Sequence, residues 1–232
     1  MSNAVTEGRS LGQFIEQEGI LDVLAARIAE LNAQASKEAK AVGKQQRLPA
    51  VQCFKCTAKK TCCMSVVVAR LYEGIVVAGF LRRANRDTSE LRAALAAAAT
   101  AMEAASPYEW RVPCVFLDAA ERCTVYTARP TPCGSLYVYS PPEWCSDPSA
   151  TIQAYVPHAE SAAATELEEL FREKLALRRK VGRRYIGVLP RMVLIALETW
   201  DRSDFREALR HYDWPTDEAA ARWNRRKLPA AT

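Results

Sequence analysis

Apolar residues recur at three- and four-residue steps through much of this chain, a period that predicts helices. Over 11–38, Leu21, Leu24, Ile28 and Leu31 fall on one stripe of an amphipathic helix. The polar run "KAVGKQQRLPA" that follows ends in proline and reads as a linker. Residues 65–82 predict a second helix, with Val68, Leu71, Ile75 and Val76 on one side. A third opens at "DTSELRAALAAAATAMEAA", where Asp87 can cap and Glu90 can reach back as in a capping box. Helices return after 160: one over 161–181, one over Pro190–Trp200 with proline in its first turn, and two more opened by Ser203 and Thr216.

Between 107 and 158 the texture changes to prolines and aromatics, which exclude long helices. There "CVFLD", a turn over "AAER", and "CTVYT" predict a small hairpin. The fold class expected is mainly α, with a small irregular or β cysteine-rich metal-binding centre. Its parts are an N-terminal helix and linker (1–50), a cysteine-cluster region with inserted helices (51–158) and C-terminal helices (159–232), forming one compact domain overall.

Cysteine changes this picture most. Cys53, Cys56, Cys62 and Cys63 fall close together in "VQCFKCTAKKTCCMS", and Cys114, Cys123, Cys133 and Cys145 follow. The chain has 232 residues and 49% hydrophobic content, enough for a core without cross-links. No secretory leader or membrane span is evident, so the expected compartment is the cytoplasm, where thiols stay reduced. Eight cysteines there point to metal binding or redox chemistry.

A Cys-x-x-Cys pair puts two thiolates within reach of one ion, in zinc sites and in iron–sulfur ligation alike. Lys59 and Lys60 can offset thiolate charge or merely keep a loop soluble. Adjacent side chains generally point apart, so Cys62 and Cys63 are expected to serve different centres, or one to ligate while the other packs. Cys53, Cys56, Cys63 and Cys133 are the expected primary ligands. Cys63 is preferred to Cys62 because it borders the expected helix start, whose positive end favours a thiolate. Cys62, Cys114, Cys123 and Cys145 then make a second site or pack beside the first. Histidine is limited to His158, a further candidate ligand, and His211, which reads as structural. The dinucleotide fingerprint, the P-loop and the nucleophile elbow are absent. Pro130 biases Arg129 to an extended backbone, presenting its guanidinium to a cluster sulfur, a carboxylate or a substrate anion, or fixing it in a structural ion pair.

In order and spacing, "CFKCTAKKTCC", "CVFLD", "CTVY" and "ARPTPCGSLY" resemble the motifs of the YkgJ-type cysteine-cluster family of zinc- or iron-chelating domains. The resemblance covers about residues 51–145. Gly134 stands where that family often has a basic residue, and Val115 where it often has proline. A flagellin lysine methylase shares the cysteine motif, which implies that such a cluster can serve an enzyme that modifies protein side chains.

The net charge of +5 is uneven: "FREKLALRRKVGRRY" and "RWNRRKL" are strongly basic. A solvated helix face accounts for this, and a surface for nucleic acid or an acidic protein is the alternative. Two functions are therefore expected. The first is a cysteine-ligated iron–sulfur protein in redox chemistry or protein or peptide side-chain modification. The second is a non-catalytic zinc-stapled helical module that binds protein or nucleic acid. A protein or peptide partner is the expectation, nucleic acid the weaker class, and no membrane is involved.

Overall fold

A computed structural model describes residues 8–51, 61–105, 112–147, 150–155, 160–177 and 185–214. In chain order its elements are α1 (Leu11–Gln17), α2 (Ile20–Gln45), β1 (Val68–Arg70), α3 (Leu71–Arg83), α4 (Ser89–Ala104), α5 (Thr131–Gly134), β2 (Tyr137–Val138), β3 (Ala154–Tyr155), α6 (Glu160–Lys174), β4 (Ile186–Val188), α7 (Leu189–Thr199) and α8 (Phe205–His211). The class is the expected one: mainly helical, with two two-stranded sheets and an irregular cysteine-bearing middle.

The first amphipathic stretch is two helices. Ser10 opens α1 with a capping box: its Oγ accepts from the Gln13 N–H while Gln13 Oε1 accepts from the Ser10 N–H. The chain turns at Gly19, where a φ of 63° suits a residue without Cβ. α2 then continues into the expected linker as far as Gln45. Ala39 and Gly43 are buried there, and Tyr139 Oη donates to the Ala39 carbonyl at 2.5 Å. Lys40, Lys44 and Gln45 of that run are on the exposed side of the helix.

The second expected helix starts at Leu71 rather than 65, because Val68 belongs to a strand. β1 pairs antiparallel with β4, Val68 opposite Val188 and Arg70 opposite Ile186. Each strand runs straight into a helix. The Leu71 N–H donates to the Tyr185 carbonyl and the Leu189 N–H to the Val67 carbonyl, both at 2.8 Å. The pairing thus sets α3 and α7 side by side. At Gly74 a Cβ would fall 2.5 Å from the Met192 carbonyl oxygen, so only glycine permits this approach. Tyr72, Ile75 and Leu81 of α3 and Met192, Val193 and Ile195 of α7 are buried at the middle of the core, joined by Leu24, Phe171 and Phe205. Each such side chain contributes about 1.5–3 kcal/mol.

Thr88, not Asp87, caps α4: its Oγ1 accepts from the Leu91 N–H at 3.2 Å. The Asp87 carboxylate is occupied by Arg92 and Arg82 instead. α6 ends before 181, at a turn where Ala176 takes a left-handed φ of 52° and the Leu177 N–H returns to the Arg172 carbonyl. α8 begins after Asp204 rather than Ser203, and Arg202 holds the Asp204 carboxylate at 2.6 Å. The helix expected from Thr216 lies outside the described residues. Among the described residues, no helix is long and apolar enough to cross a membrane.

Candidate metal centre

Cys62 and Cys63 lie in a 3-10 turn, Thr61–Met64. The Cys114 N–H donates to the Cys63 carbonyl at 2.8 Å, which docks the next cysteine segment on this turn. The expected hairpin forms in its smallest version. Leu117 bridges Cys123, and the Thr124 N–H donates to the Phe116 carbonyl at 2.8 Å. Asp118 Oδ1 accepts from the N–H groups of Ala120 and Arg122, and Glu121 supplies the left-handed residue of the turn. Phe116 and Val125 are buried in the main core, so the hairpin carries Cys114 and Cys123 on an anchored base. Cys145 lies in a second 3-10 turn, Pro142–Ser146, which packs against the turn of Cys62 and Cys63.

Five thiols act on one another electrostatically. The Cys63 thiol is pushed far up by its hydrogen bond with Cys62, then by burial, and then by Cys62, Cys114 and Cys133 nearby. Burial raises Cys114, with Cys123 and Cys62 adding to it, against the Phe116 N–H. Burial also pushes Cys133 well up, followed by Cys114, Cys123, Glu73 and Cys62. Without a cation these groups hold their protons; a bound metal reverses that, since a coordinating thiol is deprotonated. Cys133 presents surface to solvent.

Two expectations change here. Cys62 and Cys63 do not turn apart; their thiols share a hydrogen bond within one tight turn. Nor does Cys63 border a helix start, because β1 intervenes before α3. It gains nothing from a helix dipole.

Cys133 sits on α5, a single turn opened by Pro130. The turn is held from two sides. Glu73 of α3, 2% exposed, accepts from the Thr131 N–H through Oε1 and from the Arg70 N–H through Oε2, each at 2.8 Å. Tyr137 Oη donates to the Gly134 carbonyl at 2.8 Å. Gly134 packs on the Asn32 side chain of α2, leaving no room for a Cβ, which accounts for glycine where the family often has a basic residue. Arg129 has the expected extended backbone, and its guanidinium lies over the Tyr126 ring at 4.3 Å. The sequence does not mark Glu73 as a site residue. Its one signal in the sequence is a carboxylate inside the most apolar stretch of the chain, "SVVVARLYEGIVVAGFL".

The donors gathered here are sulfurs, which suit zinc or an iron–sulfur cluster. Among the described residues, no group of three Cys, His, Asp or Glu side chains can hold an ion unaided. Cys53, Cys56, Lys59, Lys60 and His158 lie outside the described residues. His211 is on the surface of α8, with its Nε2 2.6 Å from Glu207 Oε1.

Neither a curated protein nor a solved structure matches this chain. A family model does, over residues 52–148, under the description "CxxCxxCC: Putative zinc- or iron-chelating domain". The matched span contains all eight cysteines, those of the 3-10 turns, the hairpin and α5 included. Residues 52–148, less than half of the chain, are thus similar to a family of zinc- or iron-chelating cysteine-cluster domains.

Proposed function

We propose that the chain carries an iron–sulfur centre on this cysteine cluster and uses it in redox chemistry or in modifying a side chain of a protein or peptide. The reading rests on the gathering of Cys62, Cys63, Cys114, Cys123 and Cys133 from three chain segments into one neighbourhood. A closed structural zinc takes four ligands. Five thiols within electrostatic reach of one another, with Cys53 and Cys56 still to be added, supply more sulfur than one such zinc needs and favour a multinuclear centre. When bound, such a cluster supplies one-electron chemistry tuned by burial and hydrogen bonding around its sulfurs. The chain's own contribution is to place the thiols. The hairpin presents Cys114 and Cys123 from a buried base, and α5 carries Cys133 with solvent-exposed surface. Tyr126, 60% exposed and stacked under Arg129, lies just past the hairpin strand of Cys123, an aromatic surface for a protein or peptide partner.

A zinc-stapled, non-catalytic module is the second reading. It is favoured by the anchoring of the cysteine segments to the helical core through Phe116, Val125 and Glu73, as a structural staple requires.

Anaerobic purification separates the two. A brown protein with broad visible absorption and iron in stoichiometric amount supports the first; a colourless protein with stoichiometric zinc supports the second. Cys53→Ala and Cys133→Ala are expected to lower metal per chain. Unchanged metal content in either would remove that residue from the ligand set.

A further inference from the structure

We infer that Glu73 is the positioning residue for the Cys133 ligand turn, a role that rests on the reading of Cys133 as a metal ligand. The argument begins with the sequence Arg129-Pro130-Thr131-Pro132-Cys133. Pro130 and Pro132 have no N–H. The Thr131 N–H is then the only backbone donor between Arg129 and Cys133. The Cys133 N–H is spent inside the turn, on the Pro130 carbonyl at 3.0 Å. Whatever fixes the entry to this turn through its backbone donors must do so through Thr131, and that donor goes to Glu73 Oε1 at 2.8 Å.

Local capping does not account for Glu73. Its Oε2 does serve the start of α3, by accepting from the N–H of the N-cap residue Arg70. An exposed Glu or Gln performs that task without a buried carboxylate. Burying an ionised carboxylate is expensive unless its oxygens are satisfied. Glu73 is 2% exposed, and its second oxygen reaches across the fold to α5. The Arg70 guanidinium pairs with Glu168 of α6, so the residue that shares the Glu73 carboxylate is itself tied down. Glu73 thus joins the α3 start, braced by α6, to the turn that carries Cys133. Side chains that orient metal ligands from outside the coordination shell typically change metal affinity by about 10- to 100-fold when altered.

Glu73→Gln tests this. It keeps the volume and one acceptor oxygen but replaces the other with an N–H donor, so only one of the two backbone donors stays satisfied. Thr88→Ala is the control: it removes the α4 cap far from Cys133 and reports what a loss of helix stability alone does. In the metal-loaded full chain, Glu73→Gln is expected to speed metal loss to a chelator about 10-fold or more and to shift the ligand-to-metal absorption bands, while Thr88→Ala changes neither. In metal-free protein, the Cys133 amide is expected to exchange hydrogen about 10-fold faster or more in Glu73→Gln than in the wild type, again with no change in Thr88→Ala. Metal loss, spectrum and Cys133 exchange all at wild-type values in Glu73→Gln would overturn the inference, as would equal effects from Thr88→Ala. If the wild type binds no metal, the metal-centre reading fails, and the Cys133 amide exchange still decides whether Glu73 holds the turn.

Discussion

The Cys63 carbonyl accepts the Cys114 N–H at 2.8 Å, and this backbone bond seats the hairpin on the 3-10 turn of Cys62 and Cys63. Neither residue needs a metal to make it. The bond holds two thiol-bearing segments side by side through their backbones, and the mutual repulsion of their thiolates opposes deprotonation in the absence of a cation.

Metal removal should loosen this region selectively. The turns at 61–64 and 142–146 have no long helix or sheet to hold them, whereas α3 and α7 are buried against each other. Chelation is expected to raise hydrogen exchange at 61–64 and 112–147 while the amides of α3 and α7 keep their protection. Equal protection of 61–64 and 112–147 before and after chelation would contradict this, as would loss of protection throughout.

Two glycine substitutions separate crowding from backbone strain. Gly74→Ala forces a methyl against the Met192 carbonyl, and the strands β1 and β4 prevent α3 and α7 from moving apart freely. The expected loss is about 1–3 kcal/mol in denaturant unfolding. At Gly19 a Cβ meets nothing within 4 Å, but φ is 63°. Gly19→Ala is expected to cost about 1–2 kcal/mol from the left-handed backbone alone. If replacing Gly74 is silent, the close approach of α3 and α7 does not limit the fold.

The helices were legible where an apolar stripe ran long enough, as at Leu21, Leu24 and Ile28, and the hairpin was legible from its turn and flanking strands. β1 and β4 were not: three residues give no alternation to read, and Val68 and its partner Val188 lie far apart in sequence. The α1–α2 break was hidden because a single glycine interrupts a continuous stripe. The cysteine set was plain from spacing, but the contact between Cys62 and Cys63 was not, since the expectation of diverging neighbours assumed a helix or strand and the chain makes a 3-10 turn. Glu73 was invisible as a site residue because its partner, the Thr131 N–H, is backbone and lies far away in sequence.

Asp87 provides a pH test independent of the thiols. It sits between α3 and α4 with a 5% exposed side chain, gripped by Arg92 Nε and Nη2 at 2.7 Å and by Arg82 Nη1 at 3.0 Å. The hydrogen bonds from Arg92 come first among the causes that hold its carboxyl below the usual value, with Arg82 assisting against the cost of burial. The sign follows from the lowered folded value. The unfolded chain takes up the proton at higher pH than the folded one, so the stabilisation is fully present above the ordinary carboxylate range and is lost as pH falls through the lowered folded value. Asp87→Asn removes the charge at every pH. At neutral pH it is expected to destabilise the metal-free protein by about 1–3 kcal/mol. The difference in urea midpoint between wild type and Asp87→Asn should then shrink steadily as pH is lowered below the usual carboxylate range, because the wild type is losing the charge that the variant already lacks. A difference that stays constant from neutral pH into that acid range would mean that Asp87 holds α3 and α4 together by shape and neutral hydrogen bonding rather than by its charge.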